Sequence, residues 1–201
     1  MSSQLSINNI KITIKTDVPF YPCNDKVQIK DKIYAVKVYS TNPLFINVTG
    51  LKSFDDIATI RAFLTTNIIS PSNILRVQVD SIFASRRLAS GTRYNMKSIA
   101  KYCETHCQKD YFVEFSQESS SSKCLLLPRI KRREKNNTNG KNTLKQVDSE
   151  NLRRPPQITL FYTGSVTVMG IRSLNQIDKL NQLINQIYQD VFKYKNTNSN
   201  D

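Results

Sequence analysis

A chain of 201 residues is long enough to bury a sizeable core, as one domain or as two small fused ones. Its 29 Lys and Arg outnumber 16 Asp and Glu, a formal net charge of +13 that favours polyanionic partners over small-molecule chemistry, with nucleic acid ahead of an anionic membrane. No run of about 18 apolar residues occurs, Met1 to Gln4 lacks the basic-then-apolar order of a secretory signal, and Cys23, Cys103, Cys107 and Cys124 form no secreted framework; a soluble intracellular protein with reduced thiols is expected.

The first periodic segment is Asn9-Ile10-Lys11-Ile12-Thr13-Ile14-Lys15, where isoleucines alternate with polar residues as on a strand with one buried face. Ile33 to Tyr39 reads as a second strand. In a third, Ile46 and Val48 alternate with Asn47 and Thr49 and lead into Gly50, a residue suited to an abrupt turn. Ser53 and Asp56 then fit a capping box, so a helix is expected from there, with Ile57, Ile60, Phe63 and Leu64 on one apolar stripe. Asn73 to Val79 reads as a less regular strand carrying a bulge or an exposed edge. Asn95 to about Cys107 reads as a short helix with Met96, Ile99, Ala100 and Cys103 on one side.

The stretch 129–156 differs in kind. Nine basic and three acidic residues from Arg129 to Arg154 place +6 of the +13 there, and Asn136, Asn137, Asn139 and Gly140 follow Lys131-Arg132-Arg133 before a stop at Pro155-Pro156. That composition fits a disordered basic insert, which serves as a solvated loop, a phosphate-binding arm or a nuclear-import signal. Gln157 to Tyr162 and Val166 to Met169 read as strands, the second entering Gly170, and Ser173 with Gln176 opens a last helix running to about Tyr194.

Self-similarity organises these elements. Thr49-Gly50-Leu51-Lys52-Ser53-Phe54 is echoed 120 residues later by Met169-Gly170-Ile171-Arg172-Ser173-Leu174, and Ile57, Ile60, Phe63 and Leu64 match Ile177, Leu180, Leu183 and Ile184 at the same offset. Two tandem copies are expected, 1–70 and 71–201. The first is trimmed and lacks a first helix, while the second is enlarged by the insert: 40 residues lead from Ile10 to Gly50, 96 from Ile74 to Gly170.

Catalytic signals are few. His106 is the only histidine, no glycine-rich phosphate loop follows a strand, and no Ser or Cys sits in a nucleophile motif, so neither an enzyme nor a cofactor is expected. Cys103, His106 and Cys107 set three soft ligands on adjacent helical turns, with Cys124 as a candidate fourth. Structural zinc draws ligand pairs from two segments, and lone cysteines pack as small hydrophobes; core packing without a metal is expected.

Phe161-Tyr162-Thr163-Gly164-Ser165-Val166-Thr167-Val168-Met169-Gly170 resembles the TATA-binding-protein segment Phe-x-Ser-Gly-Lys-x-x-x-Thr-Gly, and Thr49-Gly50-Leu51-Lys52-Ser53 resembles its Thr-Gly-Ala-Lys-Ser continuation. Asn9-Ile10 and Asn73-Ile74 are similar to the Gln-Asn-Ile starts of that family's two repeats. The likeness is strongest over 157–190 and 44–66 and fades over 110–156; the trimmed first copy and Asn-rich insert look most like versions carried by large DNA viruses. The resemblance implies an α+β saddle, in which two repeats form one curved antiparallel sheet with helices on the convex face. It also implies A·T-rich promoter DNA gripped in the minor groove by the concave face and bent by phenylalanine wedges. Implied partners are a TFIIB-like factor and RNA polymerase, but no membrane. The implied molecule is a monomer with an internal pseudo-two-fold, located in a nucleus or, for a virus, in a cytoplasmic factory or virion.

Carried over residue by residue, the DNA-binding set is Asn9, Lys11, Thr13, Lys15, Tyr39, Asn47, Thr49, Lys52, Asn73, Thr159, Phe161, Thr167, Met169 and Arg172. Asn47, Thr49, Thr167 and Met169 oppose the core-facing Ile46, Val48, Val166 and Val168 and suit a groove floor, while Lys11, Thr13 and Lys15 suit phosphates at the rim. Lys52 and Arg172 fit solvated side chains as well as the phosphate contact that the resemblance implies, Asn9 and Asn73 fit turn caps as well as base contacts, and Lys52 with Arg86-Arg87 is expected to form a basic flank for a partner. Phe161 fits core packing as well as a wedge, with strand parity and glycine spacing favouring the wedge. Tyr39 is its counterpart if the loop through Asn42 and Pro43 holds an extra residue, and Phe112, Phe115 and the serines of 119–122 compete for the paired wedge. Ser165 stands where the family has lysine, and Met169 where it has threonine. The alternative function is a saddle without working wedges that acts as a protein-interaction module for transcription factors.

Overall fold

The computed structural model describes residues 4–17, 23–39, 45–88, 93–118, 121–129 and 155–197. The expectations for 130–154, for the loop at Asn42 and Pro43, and for the serines at 119 and 120 lie outside these residues. In chain order the elements are β1 (Ser6–Thr16), β2 (Cys23–Ile29), β3 (Lys32–Tyr39), β4 (Phe45–Leu51), α1 (Asp55–Asn67), a 3-10 turn (Pro71–Asn73), β5 (Ile74–Arg87), α2 (Met96–His106), β6 (Tyr111–Glu118), β7 (Ser121–Pro128), β8 (Gln157–Phe161), β9 (Ser165–Ile171) and α3 (Leu174–Thr197). Among the described residues nine strands join one antiparallel sheet in the order β2-β3-β4-β1-β5-β9-β8-β7-β6.

Alternation decides which face is covered. Ile10, Ile12 and Ile14 of β1, Tyr34 and Val36 of β3, Ile46 and Val48 of β4, Ile82 and Ala84 of β5, Ile158 and Leu160 of β8, and Val166 and Val168 of β9 are all buried. They share one core with Ile60 and Leu64 of α1, Ile99 and Cys103 of α2, and Ile184 and Ile187 of α3. Each large aliphatic side chain buried this way contributes about 1.5–3 kcal/mol relative to exposure. The helices therefore lie on one face and leave the other open.

Asp56 Oδ2 accepts from the backbone N–H groups of Lys52 (2.6 Å) and Ser53 (3.1 Å), the reach-back half of the expected box, whereas Gln176 Oε1 reaches one residue further back, to the N–H of Arg172 (2.7 Å). The serine half is missing at α1, whose N-cap is Phe54 without a side-chain cap bond. At α2, Asn95 Oδ1 caps the N–H of Ser98 at 3.1 Å.

Two sequence expectations need correction. Gly50 and Gly170 lie inside β4 and β9 rather than in a turn after them: at φ 98° and 85° each makes a bulge, where β1 and β5 skip one residue fewer. The bulge returns Leu51 and Ile171 to the buried face after Val48 and Val168. The strand read as Asn73 to Val79 in fact runs from Ile74 to Arg87, with Asn73 in the 3-10 turn ahead of it. The pairing around β1 and β5 is alike on both sides: Ile10 faces Leu51 and Ile12 faces Val48, while Ile82 faces Ile171 and Ala84 faces Val168. By that register Ser81-Ile82, and not Asn73-Ile74, occupies the place in β5 that Asn9-Ile10 has in β1.

Candidate nucleic-acid interface

Strand parity sends most of the anticipated site residues to the open face. Asn9, Lys11, Thr13 and Lys15 alternate with the buried isoleucines of β1; Asn47 and Thr49 face outward from β4, Thr159 and Phe161 from β8, and Thr167 and Met169 from β9. Cross-strand pairs join them into one surface: Thr13 with Asn47, Thr159 with Thr167, and Gln157 with Met169. Asn73 is not part of it. Lys52 and Arg172 stand just past the ends of β4 and β9, and the Lys52 ammonium donates to the Asn8 carbonyl at 2.6 Å.

Hydrogen bonds fix the middle of the face. Asn9 Oδ1 accepts the N–H of Gly50 at 2.8 Å, which satisfies the bulge and leaves the amide nitrogen of Asn9 as its donor. The Thr13 hydroxyl sits between two acceptors, Asp80 Oδ2 at 2.5 Å and Asn47 Oδ1 at 2.7 Å, which share its one proton. Ser85 Oγ donates to Asn8 Oδ1 at 2.8 Å.

Aromatic groups mark the two ends. Tyr39 stacks on Phe45 with centroids 4.4 Å apart, and the Lys37 ammonium lies 5.1 Å from the Tyr39 ring. Five residues lie between Tyr39 and Phe45 but three between Phe161 and Ser165 in the corresponding hairpin, so the first loop is longer by two rather than one. At the other end Phe161 is half-buried and faces Lys123 on β7. Of the candidates for a paired wedge, Phe115 opposes the buried Cys124 and so belongs to the helix side, whereas Phe112 opposes Leu127 on the open face with the Arg129 guanidinium 3.9 Å over its ring.

No protein-family model matches the sequence, and no curated protein matches it. Among solved structures the chain is similar to Methanococcus jannaschii TBP, with a TM-score of 0.56 and 14% sequence identity over 93% of this chain and 99% of that chain. The fold is the TBP-like saddle. The open face is accordingly its concave side and the helices its convex back.

The concave side of the saddle is mainly basic. Lys11, Lys15, Lys37, Arg76, Arg87 and Lys123 project from its strands, against carboxylates that include Asp80 and Glu114. Several of its groups escaped the sequence reading: Asn8, Asp80, Ser81, Phe83, Ser85 and Phe45. The signal was present in part, since Ser81, Phe83 and Ser85 alternate with Ile82 and Ala84, but the bulge at Asp80 breaks the period. Arg86 is a correction. Rather than joining a basic flank it is 5% exposed beneath α3, opposite Val166, with a guanidinium nitrogen 3.5 Å from Asn181 Oδ1. Burial lowers its pKa from the ordinary value.

The thiols lie on the other side of the sheet. Cys103, Cys107 and Cys124 are buried together between α2 and β7, and hydrogen bonds from Cys107 and Cys124, then burial, push the Cys103 thiol well above its usual range. His106 turns outward and stacks on Tyr102 at 4.1 Å, its Nδ1 lying 3.0 Å from the Tyr102 carbonyl. Among the described residues no three His, Cys, Asp or Glu side chains converge as metal ligands would.

Proposed function

We propose that this chain is a TATA-binding-protein-like, non-enzymatic initiation factor that grips A·T-rich promoter DNA in the minor groove along its concave face and bends it. The observation that carries this reading is a weakly polar floor bounded at each end by aromatics: Asn47, Thr49, Thr159, Thr167 and Met169 lie between the Tyr39–Phe45 stack and Phe161. A minor groove with A·T pairs displays only acceptors, which short hydroxyls and the Asn9 amide nitrogen satisfy. Five strand spacings of roughly 4.8 Å separate β3 from β8, about 24 Å. That span covers about seven base-pair steps of roughly 3.4 Å, a separation at which two side-chain wedges kink a duplex twice. The basic side chains around the floor supply phosphate contacts. A TFIIB-like factor and RNA polymerase as partners on the convex back, and a nucleus or a viral factory as the setting, belong to the same proposal.

A second reading, a protein-interaction module that no longer bends DNA, is favoured by one observation: the cross-strand neighbour of Phe161 is Lys123, so no aromatic pairs with it there. Selection from random duplexes separates the two, with A·T-rich enrichment expected for the first and none for the second. In a circular-permutation gel assay Phe161→Ala is expected to lose bend angle while Kd weakens by less than about tenfold, as for removal of one intercalating wedge. Full kinking by the variant would refute the wedge.

A further inference from the structure

Of the three bulges in the β1–β5 pairing, two lie on either side of its centre. In β1 the extra residue is Asn8, between Ile7 (facing Ala84) and Asn9 (facing Phe83); in β5 it is Asp80, between Val79 (facing Ile12) and Ser81 (facing Lys11). Both side chains reach the concave face, because each is held by a residue of that face: Asn8 by Ser85, which pairs with Thr167, and Asp80 by Thr13, which pairs with Asn47. Ile10 and Ile82 face each other, and a half-turn about that pair carries Thr13 onto Ser85 and Asp80 onto Asn8. Equivalent places beside the centre thus carry different chemistry, a neutral amide on one side and a carboxylate on the other.

The difference matters against a minor-groove floor. An A·T pair offers only acceptors there, so a carboxylate, which also only accepts, is repelled; a G·C pair adds the guanine 2-amino donor, which a carboxylate binds in a charge-assisted hydrogen bond. Thr13 occupies one acceptor position on Oδ2 and leaves the rest of the carboxylate to a ligand. Among the described residues no lysine or arginine nitrogen forms an ion pair with Asp80. We propose that Asp80 is a specificity-determining residue that reads guanine, so that the bound site carries a G·C pair on the Asp80 side of its centre and an A·T pair on the Asn8 side. This inference rests on the DNA-binding reading above.

The test uses the full chain and A·T-rich duplexes, each with one G·C pair at a different position, beside a matching set with inosine for guanine, which deletes only the 2-amino group. At one position next to the centre the wild type is expected to bind guanine on the order of tenfold more tightly than inosine. Asp80→Ala is expected to lose that preference while binding the all-A·T duplex at least as well, which also reports that it folds. Asn8→Asp is expected to create a second guanine preference at the mirrored position. Equal binding of guanine and inosine by the wild type at every position, or a preference that survives in Asp80→Ala, overturns the assignment while leaving DNA binding intact. Failure of the wild type to bind any duplex at low salt overturns the DNA-binding reading, and the assignment with it.

Discussion

Asp56 shows how one carboxylate fastens the start of a helix to the sheet. Its side chain is 5% exposed, with Oδ1 at 2.7 Å from the Lys32 ammonium on β3 and Oδ2 on the N–H groups of Lys52 and Ser53. Burial alone would raise its pKa; the Lys32 hydrogen bond and the two backbone donors outweigh it and lower the carboxyl from 3.8 to about 2. A depressed folded pKa stabilises above the unfolded value, so the contribution is complete above about pH 4 and lost as pH falls through about 2. Urea unfolding at pH 7 should therefore find Asp56→Ala less stable by roughly 2 kcal/mol, with the gap to wild type closing as pH drops from about 4 to about 2. A gap of constant size across that range would mean that the cap, not the charge, matters. Legibility at this scale followed local pattern. Asn9, Thr13, Asn47 and Thr167 were readable because strict alternation tells inside from outside. Asp80 was not, because a bulge residue carries no parity of its own, and Asn73 misled because a similar dipeptide stood eight residues ahead of the true counterpart, Ser81-Ile82.

Strands with a buried face and helices with an apolar stripe were readable from their periods, and α2 and α3 start and end within a few residues of expectation. The elements that escaped were β2, β6 and β7. In β2, Asp25 and Lys26 crowd the segment, and as an edge strand it has one hydrogen-bonded neighbour and little need for a clean apolar side. At the other edge β6 exposes both Phe112 and Phe115, so its aromatics fall on both parities and the period vanishes. The glycines were legible as special but not as bulges. Their surroundings differ: a Cβ on Gly50 would meet the Ile33 carbonyl at 3.1 Å, whereas one on Gly170 finds nothing nearer than Pro156 Cα at 3.9 Å. Both positions strain an L-residue at positive φ, yet only the first adds a steric conflict. Gly50→Ala should therefore cost about 1–3 kcal/mol and Gly170→Ala nearer the lower end, compared by thermal unfolding. Equal losses would show that backbone strain alone sets the cost.

For the molecule as a whole, +13 of formal charge and a concave side carrying Lys11, Lys15, Arg76 and Arg87 near the β1–β5 junction would make the proposed association with DNA strongly salt-dependent. Log Kd should change linearly with log salt, and Lys15→Ala should lower the slope by about 1 without altering sequence preference, as expected for a phosphate contact. An unchanged slope would place Lys15 away from the backbone. The saddle itself was legible because self-similarity at 120 residues survives in the β4–α1 and β9–α3 segments, where burial constrains both copies alike.

Among the described residues four strands lie on one side of the β1–β5 junction's midline and five on the other, so the two wings they form are of unequal breadth. A target that reads identically from either end can be entered in two equivalent ways, and nothing in the complex then distinguishes upstream from downstream. On the proposed reading, a body with unlike wings set on a target with unlike halves would settle in a single direction, and a partner on one wing would thereby be aimed along the duplex.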